Sequence, residues 1–218
     1  MISVRREFGD RLSLATALAH DVADRLASAV ARNDNALLAV SGGTTPTRFL
    51  ERLSLEPIGW DRVTVTLVDE RWVPESSERS NARLVRTHLL RNAAERACFV
   101  PLYPDDSAAL ALGRFDVVVL GMGADGHTAS FLPGADTLAA ALDPRGTKKV
   151  IRLAAPGLEP RLTFSFPALI DSDFIALHIE GEEKAEVLTL ALEPGPVERM
   201  PIRAFLRDEH PLVVYWAP

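Results

Sequence analysis

Short apolar runs alternate with amphipathic stretches along the whole chain. The runs at 36–40, 115–120 and 174–179 are mostly apolar, and each has the length of a buried strand. Residues 10–31 instead repeat apolar side chains every three or four positions, with charged side chains on the other face, which predicts an amphipathic helix. Strand and helix patterns keep alternating to the end, and this alternation is typical of a mostly parallel sheet between layers of helices.

Further elements follow from the same two periodicities. Additional strands are predicted at 62–68, 97–102, 148–153 and 212–216. Additional helices are predicted at 47–55, 105–112 and 201–206, and from Ser80 and Gly181 onward. Residues 161–170 alternate like a strand and then read like a helix, so they stay ambiguous. We therefore predict an α/β fold with a three-layer, mostly parallel Rossmann-like sheet and helices on both faces. No repeat or linker divides the chain, so one domain over residues 1–218 is expected.

The charge and cysteine content narrow the range of functions. The chain has 218 residues and a net charge of -6, and binding to a phosphate backbone requires a basic face, so no nucleic-acid partner is expected. Cys98 is the single cysteine, which excludes an intrachain disulfide and a cysteine-rich zinc site; we expect it to be a small buried side chain. There is no signal-peptide pattern and no apolar run of membrane-spanning length. A cytoplasmic protein without membrane contact or an obligate protein partner is therefore expected.

A glycine-rich stretch, GMGADGHTASFLP, occupies residues 121–133 after the strand predicted at 115–120. It places Asp125 and His127 at the carboxyl end of that strand, and in open α/β sheets ligands bind at this edge. A histidine can take up and release a proton near neutral pH, so His127 is a candidate general base. A capping or surface role also explains a lone histidine. Residues 128–130 are expected to begin a helix.

The segment SGGTTP follows the strand predicted at 36–40 and has the composition of an anion-binding turn. Small residues leave backbone N–H groups free, the hydroxyl of Thr44 adds a donor, and Gly42 and Gly43 let the backbone approach a ligand. The sequence fits neither the P-loop of nucleotide hydrolases nor the dinucleotide-binding fingerprint. A tight turn with a helix cap is the competing interpretation.

Charged side chains stand at two further points where an anion could be held. Asp69, Glu70 and Arg71 end the next predicted strand, and the planar guanidinium of Arg71 suits a phosphate or a carboxylate. A salt-bridged turn is the alternative interpretation. Lys184 lies at the start of the helix after Gly181, where the helix dipole disfavours a cation, and this placement suggests that Lys184 faces an anion.

Two common hydrolytic mechanisms have no counterpart in the sequence. The chain contains neither Gly-x-Ser-x-Gly nor His-Glu-x-x-His, so neither an α/β-hydrolase serine nor a zinc protease of that class is indicated. The remaining chemistry is a histidine base beside an anion site, which suits water attack or proton transfer on a small phosphorylated molecule. The other four histidines are interpreted as structural or surface residues: His20, His88, His178 and His210.

Four motifs occur in an order that resembles the 6-phosphogluconolactonase family. They are Ser41-Gly42-Gly43-Thr44, Asp69-Glu70-Arg71 with the later Ser80-Asn81, the stretch from Gly121 to Ser130, and Gly181 with Lys184-Ala185. The resemblance runs from about Ser41 to Trp216, which is nearly the whole chain. Four motifs in order are much more specific than any one of them.

The resemblance implies hydrolysis of 6-phosphoglucono-1,5-lactone to 6-phosphogluconate in the oxidative pentose phosphate pathway, without a required cofactor. No metal ligand is assigned from the sequence. The resemblance also implies the sheet architecture of glucosamine-6-phosphate deaminases and ribose-5-phosphate isomerases. His127 would activate water and then protonate the departing ring oxygen, and Asp125 would help to position the site. Asp69 matches a proton-transfer position of the deaminases. The residues that would hold the 6-phosphate are Gly42, Gly43, Thr44, Arg71 and Lys184.

Two other functions remain compatible with the sequence. A sugar-phosphate isomerase or deaminase shares the Asp-Gly-His core, but the deaminases continue with Ile-Ala-Phe-Asn-Glu-Pro, and this chain lacks the Asn-Glu pair after His127. A non-catalytic sugar-phosphate-sensing domain can use the same fold, but it should be joined to a DNA-binding domain, and residues 1–35 offer no basic recognition helix.

Overall fold

Ten strands are present in the computed structural model, which describes residues 2–218. They are β1 (Ile2–Glu7), β2 (Ala36–Val40), β3 (Val63–Leu67), β4 (Asp69–Arg71), β5 (Cys98–Val100), β6 (Phe115–Leu120), β7 (Val150–Leu153), β8 (Arg161–Phe164), β9 (Ser172–Glu180) and β10 (Leu212–Ala217). Seven of them form one sheet in the order β1-β10-β9-β6-β2-β3-β5, and every neighbouring pair is parallel. The parallel sheet predicted from the sequence is therefore confirmed.

The other three strands form a small second sheet that the sequence pattern did not indicate. Its order is β4-β8-β7, and both pairs are antiparallel. Strand β4 follows β3 after a single residue, Val68, whose backbone N–H donates to the carbonyl of Val40 in the central sheet. The small sheet thus begins directly at the carboxyl end of β3.

Helices surround the central sheet in two groups. The eight helices are α1 (Arg11–Asn33), α2 (Thr47–Leu53), α3 (Asn81–His88), α4 (Ser107–Leu110), α5 (Leu138–Leu142), α6 (Phe166–Ile170), α7 (Glu182–Leu192) and α8 (Ile202–Arg207), with 3-10 turns at Trp60–Arg62, Asn92–Arg96 and Val197–Arg199. Helix α2 contacts both α1 and α3, whereas α8 contacts α7 and packs Phe205 edge-to-face against Phe166 of α6. This arrangement is the predicted three-layer α/β fold.

Helix α1 shows how the apolar pattern sets the packing. Asp10 caps its amino end by accepting hydrogen bonds from the backbone N–H groups of Leu12 and Ser13. Asp34, in the left-handed conformation, ends it. One face is buried against β2, β6 and β10. The buried side chains of that face are Leu14, Ala15, Leu18, Ala19, Val22, Ala23, Leu26 and Ala29.

Several local predictions were wrong. Residues 128–130 form a turn, in which Ala129 has a φ of 48°, and the next helix, α5, begins at Leu138. Cys98 is exposed, because β5 is an edge strand of the central sheet. Residues 161–170, by contrast, divide into β8 and α6, in agreement with the strand pattern followed by a helix pattern in their sequence. Strand β1 was not predicted at all. Among the described helices, none has the length and apolar character needed to cross a bilayer.

The strand order creates a switch point between β2 and β6. From β2 the chain moves outward through β3 and β5, and from β6 it moves the opposite way through β9 and β10. The loops that leave β2 and β6 therefore diverge and open a crevice at the carboxyl edge of the sheet. Ligands of open α/β folds bind at this type of crevice.

Candidate active site

A single cleft at the switch point brings together most of the residues singled out in the sequence. It encloses about 260 Å³. The loops that follow β2, β6 and β9 contribute to it, together with β4, β8 and the start of α3. Its lining residues are Ser41, Gly42, Gly43, Thr44, Thr45, Pro46, Asp69, Arg71, Asn81, Gly121, Met122, Gly123, His127, Thr128, Ala129, Arg161, His178 and Lys184.

His127 and Asp125 form a hydrogen-bonded pair at the mouth of this cleft. The Nδ1 atom of His127 lies 2.5 Å from Oδ1 of Asp125, and the backbone N–H of His127 donates to the same oxygen at 3.1 Å. The hydrogen bond from the ring lowers the pKa of Asp125 to about 2, so this carboxyl is charged near neutral pH. A carboxylate can only accept, so Nδ1 carries the proton and the neutral ring keeps a lone pair on Nε2.

Two glycines make room for this pair. A Cβ atom on Gly123 would lie 2.1 Å from Nδ1 of His127 and 2.7 Å from Oδ1 of Asp125. Gly126 has a φ of 76°, which favours glycine, and a Cβ atom there would lie 2.9 Å from Met200. The glycines of this loop therefore serve the placement of the histidine.

The loop after β2 presents unused backbone donors to the cleft. Among the described residues, the N–H groups of Gly42, Gly43, Thr44 and Thr45 have no hydrogen-bond acceptor. Gly43 turns the chain with a φ of 90°. Gly42 packs so tightly on Asn81 that a Cβ atom would lie 1.8 Å from its Oδ1 atom. Free N–H groups along such a turn favour a bound anion.

The acidic side chains of β4 point to opposite faces of the strand. Glu70 is buried and accepts hydrogen bonds from the backbone N–H groups of Arg71, Asn81 and Ala82, so it fixes the start of α3. Burial raises its pKa, which these hydrogen bonds oppose. Glu70 thus has a structural role.

Asp69 faces the cleft but is already engaged. Its Oδ2 atom accepts from the hydroxyl of Ser130 at 2.5 Å, and its backbone carbonyl accepts from Nδ2 of Asn81 at 2.8 Å. It is 5% exposed. These contacts join the loop after β6 to β4 and α3, and they give Asp69 an evident part in holding the cleft together.

Two predicted cations also line the cleft. Arg71 uses Nη1 to donate to the carbonyl of Arg79 at 2.5 Å, while its Nε atom is buried without a partner. Burial lowers the pKa of Lys184, and the charges of Glu183 and Asp125 oppose that change. The structure therefore places both cations in the wall of the same cleft as His127.

The sequence interpretation missed two basic residues of the wall. Arg161 was part of the ambiguous segment, and only its pairing with β4 brings it to the cleft. His178 was interpreted as structural; it hydrogen-bonds Glu180 at 3.2 Å, but it also lines the cleft. His178 lies near the carboxyl end of β9, and that position was the available signal. The prediction that no cofactor or metal is needed stays a prediction.

Comparison with known proteins identifies the family. The model of the glucosamine-6-phosphate isomerases/6-phosphogluconolactonase family matches residues 9–216. A 6-phosphogluconolactonase from Mesorhizobium japonicum is 55% identical over 225 residues, covering 97% of this chain and 94% of that protein. One from Rhizobium meliloti is 52% identical over 225 residues, covering 97% of each chain.

Solved structures agree with these matches. The crystal structure of a 6-phosphogluconolactonase from Shewanella baltica superposes with a TM-score of 0.93 at 38% identity, covering 100% of both chains. A monomeric glucosamine-6-phosphate deaminase superposes with a TM-score of 0.77 at 19% identity over 98% of this chain and 97% of that one, which is a likeness of fold. The chain belongs to the glucosamine-6-phosphate isomerase/6-phosphogluconolactonase family.

Proposed function

We propose that this protein hydrolyses 6-phosphoglucono-1,5-lactone to 6-phosphogluconate, the second reaction partner being water. The observation that carries the proposal is the histidine–carboxylate pair, His127 and Asp125, at the mouth of a cleft that also contains free N–H donors and cations. The names of the relatives, with identities of 52% and 55% over nearly the whole chain, support the same reaction. Its place is the oxidative pentose phosphate pathway.

The phosphate end of the substrate binds to the loop after β2 and to cations. The ligands in this proposal are the N–H groups of Gly42, Gly43 and Thr44 together with Arg71 and Lys184. A net charge of -6 provides no general attraction for an anion, so these local donors must provide it. Holding the phosphate fixes the lactone ring beside His127 and turns the reaction into one between positioned groups.

The chemical step is direct attack by water. Nε2 of His127 removes a proton from water as the water oxygen bonds to the lactone carbonyl carbon, which gives a tetrahedral intermediate. The bond to the ring oxygen then breaks, and the proton on Nε2 passes to that oxygen, so His127 returns to its starting state. Asp125 holds the ring and stabilises its charged form. Asp69 supports the cleft, and a part in proton transfer for it stays a prediction.

Some N–H groups of the histidine loop, residues 121–130, are not available to donate to the oxyanion. The N–H groups of Gly123 and Gly126 donate to the carbonyls of His127 and Gly123, and that of His127 donates to Asp125. These three N–H groups beside His127 are therefore already in use. Among the described residues, the N–H groups of Thr128 and Ala129 have no acceptor, and both residues line the cleft, so these two groups remain available for the oxyanion.

We also propose that residues 1–218 form one domain, because the central sheet is built from strands of both ends of the chain. The substrate partner in this proposal is a small sugar-phosphate lactone. The cytoplasmic location and the lack of an obligate protein partner stay predictions.

Hydrolysis of freshly prepared 6-phosphogluconolactone tests the proposed function. We expect the wild-type protein to exceed the spontaneous rate by orders of magnitude, and to leave glucosamine 6-phosphate unchanged under the same conditions. Release of 6-phosphogluconate is measured with the spontaneous rate subtracted. A protein that deaminates the amino sugar but does not accelerate lactone opening would contradict the proposal.

Replacement of Asp125 tests its role in positioning the base. Asp125→Asn keeps an oxygen that accepts from Nδ1 but removes the negative charge. We expect kcat to fall about tenfold. This loss lies at the lower end of the range for a hydrogen bond to a charged group, because the side chain of Asp125 is half exposed. An unchanged kcat would show that the carboxylate does not assist His127.

The difference in stability between the wild type and Asp125→Asn is expected to depend on pH. The pKa of Asp125 in the folded protein is about 2, below its ordinary value of 3.8, so the charged form stabilises the fold. That stabilisation is complete above about pH 4 and is lost as the pH falls toward 2. We expect Asp125→Asn to cost up to about 1 kcal/mol of unfolding free energy at pH 7, after allowance for exposure, and nothing near pH 2. Denaturant unfolding at both pH values measures the difference.

A further inference from the structure

The small antiparallel sheet sets two arginines face to face. In the pairing of β4 with β8, Arg71 lies directly opposite Arg161. Residues opposite each other in an antiparallel pair project to the same face with Cβ atoms about 4.5–5.5 Å apart, and like charges in this position are destabilising. Both side chains line the candidate active site. Two guanidinium groups held together at this position therefore require a compensating interaction with a negatively charged group.

Arg161 is a largely buried cation with unused donors. Its side chain is 12% exposed, and Nε is fully buried without a partner. The nearest carboxylate oxygen, Oδ2 of Asp69, lies 4.0 Å from Nη1, which is beyond hydrogen-bond distance. Within residues 2–218, the guanidinium of Arg161 makes no hydrogen bond to any side chain or carbonyl. Burial of a charged donor is costly unless an acceptor forms a hydrogen bond with it.

The available negative charge does not balance the pair. Asp69 is the carboxylate on the same face of β4, and its Oδ2 atom already accepts from Ser130. Glu159 is nearby but forms its ion pair with Arg79. Arg71 donates a hydrogen bond from Nη1 to the carbonyl of Arg79, and its Nε atom has no partner. In the described part of the chain neither guanidinium donates a hydrogen bond to a carboxylate, and both retain donors for an anion.

The free N–H groups adjoin this pair. Asn81 donates to the carbonyl of Asp69, and its Oδ1 atom fills the space beside Gly42. The side chain of Asn81 thus lies between the loop of residues 42–45 and Asp69, and the two arginines line the same cleft. A phosphate has three terminal oxygens and a charge between -1 and -2 near neutral pH, so it can accept from two planar forks and from backbone N–H groups together.

We propose that Arg161 is a further substrate ligand, which binds the phosphate group of the lactone together with the opposite Arg71. This inference rests on the proposed function. It assigns the phosphate to the side of the cleft formed by β4, β8 and the loop of residues 42–45, with the lactone ring toward His127. Asp69, which contacts Ser130 and Asn81, then has a second role, which is to hold Arg161 in position.

Arg161→Gln tests the proposal with two substrates. For 6-phosphogluconolactone we expect KM to rise about 10- to 100-fold with a smaller change in kcat, because a charged hydrogen bond to the phosphate is lost. For glucono-1,5-lactone, which lacks the phosphate, we expect kcat/KM to stay within about twofold of the wild-type value. Arg145→Gln removes the same charge from an exposed position outside the cleft and is the matched control.

Arg161→Lys separates ligand binding from charge balance. If Arg161 only neutralises Asp69, lysine restores full activity. If the planar fork binds phosphate, lysine keeps the fold but leaves KM for the phosphorylated lactone raised. Thermal unfolding of each variant shows whether it is folded at the assay temperature. Arg161→Gln removes the positive charge near Asp69 and could destabilise the fold for that reason, whereas Arg161→Lys keeps that charge.

Binding without turnover gives an independent measurement. We expect 6-phosphogluconate and inorganic phosphate to bind wild type and Arg145→Gln equally, and to bind both Arg161 variants more weakly by calorimetry. The inference is overturned if Arg161→Gln matches Arg145→Gln, if both lactones are affected equally, or if lysine restores the wild-type KM. Should wild type fail to hydrolyse the lactone, the proposed function fails, while phosphate binding by the variants still decides the role of Arg161.

Discussion

His127→Ala is expected to lower kcat for lactone hydrolysis about 100-fold or more, with little change in KM. The variant loses the atom that accepts the proton from water and returns it to the ring oxygen, and positioned general acid–base catalysis contributes about 10²- to 10⁴-fold. The proposed phosphate ligands lie on other elements, namely the loop after β2, β4, β8 and α7, so ground-state binding should persist. Initial rates over a range of substrate concentrations, with the spontaneous rate subtracted, give both constants.

His20→Ala is the matched control for this experiment. His20 is an exposed residue of α1 whose ion pairs within residues 2–218 are to Asp24 and Glu56, and none of the three lines the cleft, so its removal should leave both kinetic constants unchanged. If wild type is fast and His127→Ala retains nearly the same kcat, the function survives and the mechanism is wrong. A rise in KM without loss of kcat would move His127 from the chemical step to substrate binding.

The central sheet was predictable because its strands are buried on both faces. Parallel strands of this kind appear in sequence as continuous apolar runs, as in Ala36–Val40 and Phe115–Leu120. Strand β1 gives no such signal. It lies at the sheet edge, contains Arg5, Arg6 and Glu7, and is joined to α1 by an ion pair between Arg6 and Asp21. Its pairing depends on β10, which lies about 200 residues further along the chain.

The structure of the histidine loop was only half predictable. Glycines after a buried strand indicate a turn, and Asp125 and His127 stand where such a turn was expected. The helix expected at residues 128–130 is absent because Ala129 adopts a positive φ, which alanine seldom does and which the sequence does not signal. Buried contacts of this turn hold the conformation, including the hydrogen bond from Ser130 to Asp69.

Arg161 shows why one part of the site was missed. Its position depends on the register between β4 and β8, two strands of three and four residues separated by about 90 positions. Strands this short carry little periodicity, and a shift of one residue would turn Arg161 away from the cleft. The motifs after β2, β6 and β9 were found because each follows directly on a strong strand signal.

Gly123→Ala is expected to lower kcat about 100-fold while leaving the fold intact. The new Cβ atom would lie 2.1 Å from Nδ1 and 2.2 Å from Cε1 of His127, so the ring must move by roughly an ångström, and a displacement of that size can cost about 10²-fold in rate. Gly123 does not have a positive φ, unlike Gly43 and Gly126, so alanine fits its backbone. The effect should therefore appear in kcat and leave the melting temperature nearly unchanged.

A double variant decides whether Gly123→Ala acts through the histidine. If the methyl group only displaces His127, adding Gly123→Ala to His127→Ala should cost nothing more, since the group that it displaces is already absent. Gly9→Ala is the control for the substitution itself, because a Cβ atom at Gly9 meets nothing within 4 Å. An equal loss of kcat in both backgrounds would show that Gly123 serves the site by another route, such as direct contact of its backbone with the substrate. Activity near the wild-type value in the single variant would show that the pair of Asp125 and His127 tolerates displacement, and the close fit around Gly123 would then have no part in catalysis.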